Sequence, residues 1–172
     1  MHALLPRLVA AIDLVNDRIG RSVAWLTLAM VVVYFLVALL RYAFNLGWIW
    51  MQESVIYMHA LVFMLAAAIT LQKDQHVRVD ILYSRLGPRG RHWINLLGSL
   101  LFLLPLALFL FWAGWDYVAA SWALRERSSE PGGLPWVYLL KTAILVLAVQ
   151  LALQALAQAT RAWLGLRTEP AP

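Results

Sequence analysis

The sequence predicts an all-α integral membrane protein. It has four transmembrane helices, an N-terminal amphipathic helix in the membrane interface, and both termini in the cytoplasm. Three observations carry that prediction. The 172-residue chain is 63% hydrophobic and 13% charged, where soluble domains average about half apolar and a quarter charged. Four uncharged apolar runs of membrane length divide it. The fourteen Lys and Arg residues fall unevenly among the segments between those runs. A chain of this length makes one membrane domain, residues 1–172, with no room for a separate catalytic domain. The pI near 10 reflects basic residues at the ends of apolar runs, where they meet anionic lipid headgroups, and does not point to nucleic acid. Without cysteine there is no disulfide, no thiolate catalysis and no Cys-ligated metal.

Residues 3–20 are too polar to span. Leu4, Leu8, Ile12, Val15 and Ile19 recur on one helical face, while Arg7, Asp13, Asp17, Arg18 and Arg21 keep off it. That pattern describes a helix lying in the interface, or else a frayed cytoplasmic tail. The apolar run that follows is longer than a signal-peptide core, and no small-x-small site ends it.

The first span, residues 22–40, is uncharged between Arg21 and Arg41. Nineteen helical residues reach roughly 28 Å, close to the hydrocarbon thickness. The second span, 54–72, lies between Glu53 and Lys73. The third, 93–115, carries Pro105 in mid-run, where a kink is expected. Trp112, Trp115, Ala119 and Trp122 continue its helical spacing outward to about Arg125. The stretch Ser128 to Pro135, with two glycines and two prolines, then turns. The fourth is uncharged from Thr142 to Thr160, between Lys141 and Arg161. Its helix is expected to start earlier, near Pro135, a residue suited to a first helical turn, which gives a span of 135–160.

Ten basic residues (Arg7, Arg18, Arg21, Lys73, Arg78, Arg85, Arg89, Arg91, Arg161 and Arg167) lie in the two terminal segments and the middle loop, against four (Arg41, Arg125, Arg127 and Lys141) in the other two loops. Positive charge favours the cytoplasmic side, so both termini and the middle loop are assigned there. The tryptophans fall at the ends of the spans and never at mid-membrane, as amphipathic rings should.

Candidate chemistry is sparse. His59 is the one histidine inside a span. A membrane histidine serves as haem ligand, proton relay or ion site, or simply bonds a neighbouring helix. Bis-histidine haem needs a second membrane histidine, whereas His2, His76 and His92 sit at or beyond the cytoplasmic edge. No cofactor is therefore expected. Gln150, Gln154 and Gln158 make a polar stripe on the fourth span, and Ala148, Ala152, Ala155 and Ala159 a small-residue face. The stripe is expected to pack inside the subunit and the alanine face to meet a partner. Arg41 and Glu53 close adjacent helices at the outer surface, where they pair with each other, meet a partner, or reach water. In the middle loop His76, Arg78 and Asp80 alternate with Val77, Val79 and Ile81, an extended piece laid on something apolar, unless Asp80 caps a helical turn. The sequence offers no Ser-His-Asp set, metal-ligand spacing or phosphate loop, and no acid inside a span.

Three stretches together resemble the small membrane subunit, DctQ-like, of tripartite ATP-independent periplasmic (TRAP) transporters. They are Trp50-Met51-Gln52-Glu53, then His76-Val77-Arg78-Val79-Asp80, then Ser128-Ser129-Glu130-Pro131-Gly132-Gly133-Leu134-Pro135 with Lys141. The resemblance runs from Arg18 to about Trp163. It implies a non-enzymatic subunit of a bacterial inner-membrane system. In such systems a large membrane subunit performs sodium-coupled, elevator-type transport of an organic acid or similar solute, which a periplasmic solute-binding protein delivers. The small subunit packs beside the large one and widens its static scaffold. On that reading Arg41, Trp50, Gln52, Glu53, Ala148, Ala152 and Ala155 are candidate contacts with the large subunit. A membrane-anchor subunit of a redox enzyme is the alternative, and a self-contained four-helix exporter or channel a further one.

Overall fold

A computed structural model describes residues 4–75 and 83–168. The described residues are helical apart from short connections, and four helical stretches are long and apolar enough to cross a membrane. Helix α1 spans Leu4–Phe44, and α2 spans Ile49–Gln72. Helix α3, Pro88–Gly98, runs through a π-helical turn at Ser99–Leu103 into α4, Leu104–Leu124. Helix α5 spans Val137–Thr168.

Local chemistry sets the helix ends. After α1, Asn45 takes the left-handed conformation at φ 55°, which asparagine tolerates, and the Leu46 N–H bonds the Leu40 carbonyl at 2.9 Å. After α2, Asp74 does the same at φ 57°, and the Gln75 N–H reaches the Thr70 carbonyl at 2.9 Å. Gly87 caps α3, with Pro88 in the first turn, where its missing N–H is not needed. Pro105 cannot donate to the carbonyl one turn earlier, and the π-helical turn immediately before it absorbs the mismatch. Helix α4 continues beyond Trp115 to Leu124, as the tryptophan spacing predicts, and Arg125 closes it at φ 46°.

Helix α5 is the hub. It packs against α1, α2, α3, the π-helical turn and α4, while no comparable packing joins the α1–α2 hairpin to α3–α4 among the described residues. Its composition explains this. Ala143, Ala148, Ala155, Ala157, Ala159 and Ala162 are buried, and small side chains let several helix backbones approach closely. The core is thin and alanine-rich, with Val23, Ala68, Ala107 and Val118 supplied by the other helices. Bulky residues face outward: Phe63, Phe102 and Trp112 are each at least 75% exposed. In water such surface would drive association, whereas in a bilayer it meets acyl chains.

One element differs from its sequence reading. The stretch 3–20 and the first span read as separate helices, yet α1 passes through Arg18, Gly20 and Arg21 without a break. At about 60 Å it is twice the hydrocarbon thickness. Several of the polar residues in this segment have partners on other helices or on α1 itself. Asn16 donates to Gln154 Oε1 at 2.8 Å, with both residues buried. Asp13 pairs with Arg161 of α5, and Asp17 with Arg21 and with Lys73 at 3.7 Å. Leu8 and Val15 of the apolar line stay exposed, 57% and 51%, as an interfacial face requires. Gly20 lets α1 cross α2 closely, since a Cβ there would stand 2.6 Å from Ile69 Cδ1.

Candidate functional site

The outer end of the bundle is built around Glu53, in the first turns of α2. Its Oε2 accepts the Leu134 N–H at 2.6 Å, and its Oε1 accepts the Ser128 hydroxyl. Both donors belong to the loop between α4 and α5, and that loop is also tied to itself. The Ser128 N–H bonds the Leu134 carbonyl and the Gly133 N–H bonds the Glu130 carbonyl, each at 3.0 Å. Ser128 Oγ accepts the Glu130 N–H at 3.1 Å. Gly132 turns the chain at φ 80°, and a Cβ on Gly133 would come within 2.8 Å of Glu53 Oε1. Two of the three motif stretches, at Glu53 and at Ser128–Pro135, thus form one latch across the ends of three helices.

A second fastening stands beside the first. Lys141 donates to Glu126 at 2.5 Å and lies over the Tyr117 ring, 4.0 Å from its centroid. The Lys141 hydrogen bond holds the Glu126 carboxyl below the usual carboxylate range. The Trp122 indole N–H donates to Thr142 Oγ1 at 2.8 Å, and its ring meets Tyr138 edge-on at 4.7 Å.

At the other end the polar groups also join helices. Gln158 Nε2 donates to the Leu71 carbonyl at 3.0 Å, and Ser99 Oγ donates to Gln158 Oε1 at 3.4 Å. With Asn16–Gln154 and Asp13–Arg161, these contacts bring α1, α2, the α3–α4 helix and α5 together. They also place the N-terminal part of α1 and the C-terminal part of α5 at the same end of the bundle. Gln150 is buried with neither amide atom hydrogen-bonded. A cavity of about 220 Å³ opens here between Gln72, Asn95 and Arg161.

The sequence-derived candidates divide accordingly. The expectation that Gln150 and Gln154 pack inside the subunit matches their burial. The alanine face expected to meet a partner needs correction. Ala148 and Ala155 are 1% and 0% exposed within this chain, and Ala152 is half-buried, because α5 has neighbours on several sides. The outward line of α5 is Val146, Val149, Leu153 and Leu156 instead. Glu53 is taken by its own loop, so the pairing of Arg41 with Glu53 does not form. Arg41, Trp50 and Gln52 are exposed. The interhelical hydrogen bond read for His59 is absent among the described residues, and His59 faces outward. His76, Arg78 and Asp80 lie outside the described residues. Sequence reasoning missed Ser128, Gly133 and Asn16 as contact-forming residues. The turn signal at the two glycines was visible, but not its target on α2.

Fold and site define a class: a small, multi-pass, all-helical membrane protein whose polar side chains fasten its own helices and whose outward faces are broad and mostly apolar. A family model described as "Tripartite ATP-independent periplasmic transporters, DctQ component" matches residues 30–165. The chain belongs to that family and is a transporter component, the small membrane subunit of a TRAP system. No curated protein matches the chain, and neither does any solved structure.

Proposed function

We propose that this chain is the scaffold subunit of a sodium-coupled, binding-protein-dependent transporter in the bacterial inner membrane, carrying an organic acid or similar solute. It packs against the large membrane subunit and stabilises it. The periplasmic solute-binding protein docks on the assembled pair, and membrane lipid covers the remaining faces. Both termini lie in the cytoplasm, following the distribution of basic residues. One observation carries the scaffold role. The α1–α2 hairpin and the single α3–α4 helix are arranged about α5 without comparable packing between them, so they present a wide surface and do not close around a path. Secondary carriers use broken helices and buried ionisable ligands at the bilayer midplane, and the buried polar residues described here are uncharged.

Reconstitution tests the reading. Solute uptake into proteoliposomes is expected with the large subunit, the binding protein and this chain together, and not with this chain alone. Uptake by the chain alone would overturn the scaffold role in favour of a self-contained carrier. A haem absorbance band in the purified chain would favour the redox-anchor alternative. Reporter fusions after Arg85 and Arg167 should mark the cytoplasm, and one after Ser129 the periplasm.

A further inference from the structure

The outward surface of the chain is not uniform. The faces on the π-helical turn and α4 (Phe102, Leu106, Phe109) and on α5 (Val149, Leu153, Leu156) are exposed and apolar. Acyl chains satisfy them without loss. The α1–α2 hairpin is different. Near its outer end a groove of about 330 Å³ runs between the helices, lined by Tyr34, Val37 and Arg41 of α1 and Gln52, Val55 and Ile56 of α2. The groove continues into one exposed face of α2 formed by Gln52, Ile56, His59 and Phe63, at helical spacing.

Among the polar side chains on this surface, Arg41, Gln52 and His59 have no partner among the described residues. Two other charged side chains of the outer end differ from them: Glu53 is held by Ser128 and Leu134, and Lys141 by Glu126. Arg41 and Gln52 stand at the level of the headgroups, which can solvate them. His59 lies five residues inside the span that begins at Ser54, about 8 Å deeper along the helix. An imidazole facing hydrocarbon there has lost much of its access to water, and ionisable residues at such depth almost always face protein or a wet cavity.

Resting on the transporter-subunit reading, we propose that this groove is where the large membrane subunit docks. The occupant is a helix of that subunit with an acidic side chain at the level of Arg41. One turn or two deeper it carries a hydrogen-bonding side chain opposite His59. The groove supplies the cation, a lone amide and a lone imidazole, and an acidic, hydrogen-bonding helix complements all three. The α4 and α5 faces are left to lipid.

Photocrosslinking in the cysteine-free chain, co-expressed with the large subunit, tests the proposal. A photoreactive side chain at Ile56 or Phe63 should give an adduct with the mass of both subunits, and one at Phe109 or Val149 should not. An adduct from Phe109 or Val149 alone would overturn the proposed face while leaving the subunit reading intact. So would adducts from Ile56 and Phe63 that contain only lipid or a second copy of this chain. Failure of the unmodified pair to co-purify would instead defeat the subunit reading itself, and the docking face with it. As a second measurement, His59→Leu and Arg41→Glu should each reduce the large subunit recovered with this chain, roughly threefold or more for the loss of an interhelical polar contact. His59→Gln and Arg41→Lys should retain more than their harsher counterparts. The melting temperature of the isolated chain should not move, since neither side chain bonds within it. Unchanged recovery in both harsh variants would refute the polar docking contact.

Discussion

Replacing Glu53 by alanine should loosen the outer end of the bundle. The carboxylate accepts from the Leu134 N–H at 2.6 Å and from the Ser128 hydroxyl. Hydrogen bonds to a charged group contribute about 1.5–3 kcal/mol each, and the part-buried setting argues for the low end, so the pair amounts to about 3 kcal/mol. For a chain of this size 1 kcal/mol moves the melting temperature by about 2–4 °C, which makes the expected fall about 6–12 °C. Tryptophan fluorescence in detergent reads it, because Trp122 and Trp136 flank the loop. Glu53→Gln should lose about half as much, since one amide oxygen can still accept while the amide nitrogen cannot. Ser128→Ala should lose less than Glu53→Ala, and its effect should largely vanish in the Glu53→Ala background. Gly133→Ala attacks the same contact from the opposite side, with its Cβ brought to 2.8 Å from Glu53 Oε1. A Glu53→Ala protein that melts within about 1 °C of wild type would refute the latch. If that protein also loses the large subunit, Glu53 acts on the partner.

Gly20→Ala should destabilise by about 1 kcal/mol, with overpacking against Ile69 outweighing the better helix propensity. That cost should disappear when Ile69→Ala is already present, and an equal cost in both backgrounds would show that the crossing is not tight. Asn16→Ala strands the buried Gln154 amide and should cost about 1–3 kcal/mol. Asn16→Leu combined with Gln154→Leu should melt closer to wild type than either single change, as a paired polar contact in a bundle core requires. The Glu126 carboxyl is held low in the folded state by Lys141, so its contribution is present at neutral pH and is lost as pH falls through the folded value. Melting temperature followed from pH 7 downward should therefore drop more steeply below about 4.5 in wild type than in Glu126→Gln. Parallel curves would remove the ion pair from the account.

The spans were legible because hydropathy is a local property: nineteen uncharged residues between Arg21 and Arg41 leave little choice. The outward run of α4 was legible for the same reason, from the spacing of its tryptophans. What sequence could not give were contacts between residues far apart in the chain. Asp13, Asn16 and Asp17 look like a solvated face until Arg161, Gln154 and Lys73 are brought to them. Glu53 resembles a free anion beside Arg41 because its donors come 75 and 81 residues later. The alanines of α5 fit a partner as well as they fit a neighbouring helix. Only the central position of α5 decides, and no periodicity in one helix reports how many neighbours surround it. For His59 the composition of its own helix was uninformative, since the discriminating fact is what fails to stand opposite it.

Because α5 is the hub, the order of synthesis matters. The α1–α2 hairpin and the α3–α4 helix enter the bilayer first and have no comparable packing to hold them together. Asn16, among the earliest residues made, remains without its bonding partner until Gln154 arrives, 138 residues later. A ribosome stalled before α5 would release a chain with a complete set of signals for insertion and no means of closing. The unpaired amide of Asn16 would then distinguish such an unfinished chain from a complete one. The α1–α2 hairpin can pack before α5 is made, but closure of the whole bundle waits for its last helix.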